Sequence, residues 1–287
     1  LDIINWTKTY FTSHNIDSPR ASAEIFLAHV LNLQRIDLYL RYDQPLIQQE
    51  LVHFKSLIKR RIKREPVAYI IGKRDFWSLD LLVSEQTLIP RPETECLVEV
   101  ALSFLPKLMS SELESSSLRI LEMGTGSGAI ILAIASDRPN HRFFASDRVP
   151  KAVALARQNA KNHQLENKIR FFVGEWMSAL KVPPYFDIIL SNPPYIPSNI
   201  IPSLQPEIYR YEPLMALDGG EDGLDCLRTI INAAHHQMNS KGVLILEIGY
   251  DQKEAVKRII EDRDQYEDII FSKDYSGHDR VVSMRKK

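Results

Sequence analysis

The sequence predicts an α/β protein: a mostly parallel sheet covered by helices on both faces, preceded by a small helical bundle and a β-hairpin linker. Three observations predict it. Before Pro66 apolar residues recur at helical spacing, from Leu118 onward short apolar runs alternate with amphipathic stretches, and a glycine-rich turn joins the first of those runs to the next helix. With 44% hydrophobic and 25% charged residues in 287, the chain has the composition of a globular protein, which excludes disorder, collagen and a disulfide-stapled miniature.

The elements follow in order. Ser18-Pro19 reads as a helix start, Ser at the N-cap and Pro at the first helical position, and Ala23, Phe26, Leu27, Val30 and Leu31 share the face that follows. Leu51, Phe54, Leu57, Ile58 and Ile62 repeat the pattern until Pro66 stops it. Helices of this kind bury their stripes against one another, so residues 1–66 are expected to form a bundle. Tyr69 to Gly72 and Phe76 to Val83 read as the strands of a hairpin within a linker, residues 67–86. Residues 87–287 form the expected sheet domain. It opens on a proline-stiffened turn, Leu88 to Glu95, whose acids suit a helix start. Ser110 to Ser117 reads as a flexible surface connection. Strands are then expected at Leu118 to Met123, Arg142 to Ser146, Ile169 to Val173, Phe186 to Ser191 and Val243 to Ile248, with two last runs at Asp268 to Phe271 and Val281 to Met284. Helices are expected at Gly128 to Ser136, Pro150 to Asn162, Leu224 to Met238 and Gln252 to Ile260. Ligands of such sheets gather at the carboxyl ends of the strands.

The net charge of -1 gives no general affinity for nucleic acid or anionic lipid. Charge is nevertheless uneven: residues 1–75 carry 12 Lys and Arg against 8 Asp and Glu, and the remainder is net acidic. The basic stretch Lys59 to Arg64 reads as the solvated last turn of a helix, with contact to an RNA-rich partner as the other reading. No run is long and apolar enough to span a membrane, and Leu1 to Tyr10 lacks a basic-then-apolar leader, so a soluble cytoplasmic protein is expected. Cys96 and Cys226 stand alone, which indicates neither disulfides nor a zinc site, and no metal is expected. His235 and His236, neighbours on a predicted helix, should point in different directions and lie at the surface.

Two motifs carry chemistry. In Glu122-Met123-Gly124-Thr125-Gly126-Ser127-Gly128 the glycines allow a tight turn and let a ligand lie on the backbone, next to the free N–H groups of a helix start. Asp147 ends the following strand, about 20 residues on, where a carboxylate holds ribose hydroxyls. A nucleoside-containing cofactor follows from the pair. The spacing fits both the looser dinucleotide fingerprint, through Gly124, Gly126 and Ala129, and the E-x-G-x-G-x-G form of S-adenosylmethionine enzymes. Trp176, after the third strand, would stack on adenine or fill the core.

The second motif is Asn192-Pro193-Pro194-Tyr195, directly after a buried-strand run. Paired prolines end strand pairing and fix the backbone, so that the Asn192 side-chain oxygen and the Pro193 carbonyl are two placed acceptors and Tyr195 offers a flat face. Two acceptors engage both hydrogens of a planar NH2 group and turn its nitrogen lone pair toward an electrophile. The target is therefore an amide or an exocyclic aryl amine. Orientation of this kind lowers a barrier by about 7 to 11 kcal/mol in favourable cases.

With these residues in view the chain resembles the HemK/PrmC family, which methylates the side-chain amide of glutamine in peptide chain release factors. The likeness extends from Glu65 to Gly72, through Ile89 to Glu95, the glycine turn and Asn192 to Tyr195, to Glu212 to Leu224 and Gly277 to Val282. Met123 departs from the family pattern, where a smaller or branched aliphatic is more usual. The resemblance implies a Rossmann-like, seven-stranded class I methyltransferase domain, a hairpin linker and an N-terminal helical domain that binds substrate. It implies S-adenosyl-L-methionine held by Gly124, Thr125, Gly126, Ser127, Gly128 and Asp147, with Trp176 on the adenine and Asn192 where cofactor and substrate meet. Asn192, Pro193, Pro194 and Tyr195 would hold the glutamine of a class 1 release factor's Gly-Gly-Gln motif. The rival readings are a ribosomal-protein glutamine, an adenine or cytosine amino group in nucleic acid, and a cofactor sensor without turnover. A base-modifying enzyme would need a basic groove, and the acidic balance after residue 75 argues against one.

Overall fold

The computed structural model describes residues 2–41, 43–106, 117–180 and 185–287. Residues 110–116 of the expected surface connection lie outside them. In chain order the elements are α1 (Asp2–Ser13), α2 (Pro19–Leu31), α3 (Asp37–Leu40), α4 (Gln48–Arg61), α5 (Val67–Ile71), β1 (Lys73–Phe76), β2 (Leu79–Leu82), α6 (Glu95–Ser103), β3 (Arg119–Met123), α7 (Ala129–Asp137), β4 (Arg142–Asp147), α8 (Pro150–Asn162), β5 (Ile169–Val173), β6 (Phe186–Ser191), α9 (Pro206–Tyr211), α10 (Asp225–Ala234), β7 (Met238–Glu247), α11 (Lys253–Glu261), β8 (Tyr266–Lys273) and β9 (Asp279–Lys286). They form two compact units. One comprises Leu1–Lys73 with Gln205–Tyr211, the other Arg74–Leu204 with Glu212–Lys287.

The first unit is helical, and Phe11, Phe26, Phe54, Leu57 and Ile58 form its core, with the Phe11 and Phe26 rings edge to face at 6.2 Å. Pro19 starts α2 as expected, but Ser18 takes a left-handed conformation (φ 48°) and its hydroxyl caps nothing. Tyr69 to Gly72 is not a strand. Val67–Ile71 is a short helix, entered from Pro66 and ended by Gly72, whose left-handed N–H closes onto the Ala68 carbonyl. A short apolar run is ambiguous by periodicity alone, and here the flanking Pro and Gly decide.

The basic stretch also differs from expectation. Arg61 is 5% exposed and pairs with Glu207 Oε1 at 2.7 Å, while Arg64 reaches Glu207 Oε2 at 2.9 Å. Arg60 pairs with Glu65. Thus Lys59, Arg60 and Lys63 stay exposed as expected, while Arg61 and Arg64 serve to seat α9, whose Tyr211 hydroxyl also donates to the Lys63 carbonyl at 2.7 Å.

In the second unit the run Phe76 to Val83 contains the hairpin turn itself: Trp77 and Ser78 both have positive φ, 51° and 62°, the pairing of a type I′ turn. The main sheet has the order β5-β4-β3-β6-β7-β9-β8, parallel except where β9 pairs with β7 and β8. Side chains alternate across it. Ile120, Ile188, Leu190 and Val243 face the core shared with α6, α7 and α8, whereas Leu121, Ile189, Leu244 and Leu246 face that shared with α10 and α11. The chain runs outward from β3 to β4 and β5 on one side and from β6 to β7 on the other. The carboxyl ends of the adjacent strands β3 and β6 therefore flank the switch-point crevice where ligands of such sheets bind. The expected helix to Met238 stops earlier: α10 gives way to a short turn at His235–Gln237, and Met238 opens β7. That turn brings the His235 and His236 rings together, 3.7 Å between centroids, rather than apart, and His235 is half-buried.

Candidate active site

The glycine turn leaves β3 with Gly124, Gly126 and Gly128 at φ of 71°, 55° and 86°. At Gly128 a Cβ would meet Ala156 Cβ and Leu132 Cδ1, each at 3.2 Å, so this glycine serves close helix packing as well as the turn. The turn is fastened from below by Glu122. Its Oε2 accepts hydrogen bonds from Thr125 Oγ1 at 2.5 Å and the Ile131 amide at 3.2 Å. Burial pushes the Glu122 carboxyl up to about 8, against the pull of those two donors.

Asp147, at the end of β4, closes the turn from the side. Gly126 N–H donates to its Oδ2 and Val149 N–H to its Oδ1, both at 2.9 Å. Burial raises its pKa and the two amides oppose the shift. Each carboxylate oxygen keeps a second lone pair, so the group can still accept from hydroxyls.

Asn192 follows β6. Its Nδ2 donates to Thr94 Oγ1 at 3.2 Å, which leaves the side-chain oxygen as the acceptor end. Thr94 is buried and also helps stabilise the charge of Glu247, the carboxyl that ends β7. Tyr195 donates its phenol to Glu247 Oε1 at 3.0 Å. Burial pushes Glu247 up to about 7, opposed by Thr94, Tyr195 and the charge of Arg280. The Tyr195 phenol is likewise shifted upward, by burial and by that neighbouring carboxyl.

These parts surround one cavity of about 600 Å³. Gly124, Gly126, Asp147, Trp176, Asn192 and Pro194 line it together. Thr125, Ser127 and Pro193 are buried beside residues that line it, and Gly128 lies at the α7 start. Tyr195 is not part of the lining, its ring packing instead on the core beneath β6 and β7. Trp176, held at φ 46°, lies so close to Gly124 that a Cβ there would be 3.8 Å from its ring. The lining acids are Asp147, Glu175, Asp218 and Asp225, against Arg148, itself paired to Glu175 at 3.0 Å. Such a surplus of negative charge favours a cationic ligand such as a sulfonium. The glycine turn, the ribose-suited carboxylate and the half-buried indole also fit a nucleoside.

Sequence reasoning missed several walls and supports. Gln86 to Leu88 and Pro213 to Ala216 line the cavity, as does Cys226. Thr94 was read only as part of a helix start, and Glu247 not at all. An acid inside the otherwise apolar Val243 to Ile248 was the available signal for Glu247.

Residues 2–72 match the PrmC N-terminal domain family, and residues 114–283 match a methyltransferase domain family. The release factor glutamine methyltransferase of Geobacter sulfurreducens is 38% identical over 283 residues, covering 99% of this chain and 95% of that protein. The enzyme of the same name from Salmonella typhimurium is 43% identical over 94% of this chain and 93% of that protein. Among solved structures, a methyltransferase from Pyrococcus furiosus matches with a TM-score of 0.51 at 20% identity, covering 73% of this chain and 89% of that one. Human methyltransferase 10 domain containing protein matches with 0.54 at 15% identity, covering 74% and 89%, and both likenesses are of fold. With nearly full-length similarity on top of the glycine turn and the Asn-Pro-Pro-Tyr elbow, the chain belongs to the release factor glutamine methyltransferase family.

Proposed function

We propose that the family's reaction, transfer of a methyl group from S-adenosyl-L-methionine to the side-chain amide nitrogen of a release-factor glutamine, takes place in the cavity between the glycine turn and the Asn192–Tyr195 elbow. The observation that carries this reading is the polarity of Asn192. Thr94 takes one of its amide hydrogens, and Asn192 lines the cavity with its side-chain oxygen still able to accept. That oxygen accepts one N–H of the substrate carboxamide, and the Pro193 carbonyl accepts the other. With both hydrogens held, conjugation weakens and the nitrogen lone pair is aimed, which is the entropic part of the rate gain. The cofactor, when bound, supplies a methyl carbon activated by its sulfonium. Gly124 to Gly128 and Asp147 hold its nucleoside and Trp176 its adenine, while the acidic lining favours its charge. Tyr195 works from behind, keeping the elbow in place through Glu247.

The partner is a class 1 release factor carrying Gly-Gly-Gln, and the helical unit is its docking domain. Exposed Ile36, Leu40 and Ile47 give that unit apolar surface for a protein rather than a nucleic-acid partner. Among the described residues no helix is long and apolar enough to cross a membrane, and work on release factors belongs in the cytoplasm.

The test is transfer of labelled methyl to intact release factor, the same factor with its Gln changed to Ala, ribosomal protein and DNA. Label is expected in the intact factor alone, and label in DNA or ribosomal protein instead would overturn the substrate assignment. Asn192→Ala should lower turnover by about 10- to 100-fold, as expected when a buried donor loses its acceptor, with cofactor affinity little changed. Asp147→Ala should instead weaken cofactor binding first, read by calorimetry.

A further inference from the structure

Three segments distant in sequence meet at Tyr195. Its carbonyl receives the side-chain Nε2 of Gln252 at 2.9 Å, and the same nitrogen donates to the Gly223 carbonyl at 3.2 Å. The other end of that amide is also used, since Oε1 accepts the Gly249 N–H at 2.8 Å. Gln252 is buried and sits at the N-cap of α11, yet its side chain makes no capping bond to its own helix. Its polar atoms are spent on the elbow, on Gly223 of the double-glycine segment (the Glu212 to Leu224 stretch with its Gly219-Gly220 pair) and on Gly249.

The close approach is enforced from the far side as well. A Cβ at Gly223, where φ is 76°, would fall 2.4 Å from the Tyr195 carbonyl oxygen and 2.8 Å from Gln252 Nε2. At Gly219 a Cβ would lie 2.8 Å from Tyr195 Cα. Ile196 and Gly219 add backbone bonds between the two segments, Ile196 N–H to Leu217 O at 3.0 Å and Gly219 N–H to Ile196 O at 2.9 Å. The requirements at position 252 are two hydrogens for two carbonyls and one oxygen for an amide. Of the side chains of that length, glutamine alone meets all three: glutamate has no hydrogen to give when ionised, lysine has no acceptor, and methionine has neither a donor nor a strong acceptor.

We propose that Gln252 is a positioning residue for methyl transfer, fixing the Asn192–Tyr195 elbow against the double-glycine segment by binding the Tyr195 and Gly223 carbonyls with one amide. The inference rests on the reading that the elbow holds the substrate amide. Gln252 does not line the cavity, so its loss should act on turnover and not on cofactor affinity.

The experiment compares the wild-type full-length enzyme with Gln252→Glu, Gln252→Met and Asn192→Ala, measuring kcat and KM on intact release factor, cofactor Kd by calorimetry and the thermal midpoint. For both Gln252 variants kcat should fall about 10- to 100-fold, the scale of a buried carbonyl pair left without its donor. Cofactor Kd should stay within about twofold. A signature separates positioning from mere stabilisation. As the pH is lowered through the range in which a buried carboxyl takes up its proton, the introduced side chain of Gln252→Glu can again donate to Tyr195 while accepting from Gly249, so its activity relative to wild type should rise. Gln252→Met should show no such recovery. Wild-type kcat in Gln252→Glu, or equal and pH-independent losses in both variants, would overturn the proposal, as would loss of cofactor binding in step with turnover. Should Gln252→Glu fail to fold, Gln252→Met decides through the split between kcat and cofactor Kd. Full activity of Asn192→Ala would instead overturn the reading of the elbow, whatever the Gln252 variants do.

Discussion

In the helical unit the buried carboxylates Glu24 and Glu207 face arginines; in the sheet unit Glu212 and Asp274 do the same, whereas Glu122, Asp147 and Glu247, around and behind the cavity, face hydroxyls and backbone amides. Glu24 receives Arg20 at 2.8 Å, Arg35 at 2.6 Å and the Tyr39 hydroxyl at 2.5 Å, and Glu207 is held by Arg61 and Arg64. Burial pushes the Glu24 carboxyl up, but the hydrogen bonds from Arg35, Tyr39 and Arg20 outweigh it and leave the group at about 2. Among the described residues Glu122 and Glu247 have no ion pair of their own, and burial leaves them at about 8 and about 7. Arg280, the cation nearest to Glu247 in effect, is bonded to Asp274 at 3.1 Å. The difference separates two jobs. Arginine and tyrosine bonds keep Glu24 charged at neutrality, while a carboxyl poised near neutrality stands beneath the glycine turn and another behind the elbow, where the direction of each hydrogen bond matters.

The largest effect expected from breaking the first arrangement is that of Glu207→Ala. It leaves Arg61 buried and unpaired, and should cost about 3 to 5 kcal/mol in chemical denaturation. A loss below about 1 kcal/mol would class this pair with exposed ones.

The pH slopes sharpen the contrast, because the two kinds of carboxyl have opposite signs. A lowered pKa gives stability that is present above the ordinary carboxylate range and lost as pH falls toward about 2. The advantage of wild type over Glu24→Gln should therefore shrink on acidification below about pH 4.5. A raised pKa works the other way: the stability it contributes is present at low pH and lost as pH rises through about 8. Wild type should lose ground to Glu122→Gln between about pH 5 and about pH 8, and thermal midpoints across that window show whether it does. Parallel slopes for the two variants would erase the distinction. The smallest effect belongs to the surface: Glu261→Gln, removing an exposed partner of Lys257 at 3.8 Å, should change stability by less than about 0.5 kcal/mol.

The placement of residues within a contiguous stretch of chain was legible in the sequence, and contacts assembled across it were not. The glycine turn, Asp147 and the Asn-Pro-Pro-Tyr elbow could be read because glycine and proline act on their own backbone, and the alternation of strands and helices set the sheet. The supports are another matter. Thr94 lies 98 residues from Asn192, Gln252 lies 57 from Tyr195, and Arg61 lies 146 from Glu207. No local pattern joins such partners, so Lys59 to Arg64 read as a solvated helix end although two of its arginines are committed inward. Tyr69 to Gly72 was misread for a different reason: strand propensity in an apolar run lost to the helix stop supplied by Gly72.

One feature of the chain path limits how this enzyme can be taken apart. Because Gln205–Tyr211 belongs to the helical unit while the residues before and after it belong to the sheet, cutting at residue 73 does not yield two self-sufficient pieces. A fragment starting at Arg74 would carry α9 with Glu207 stripped of both arginines, and a fragment ending at Lys73 would keep those arginines with no carboxylate to receive them. Grafting the helical module of one relative onto the body of another thus calls for exchanging this internal stretch in the same step.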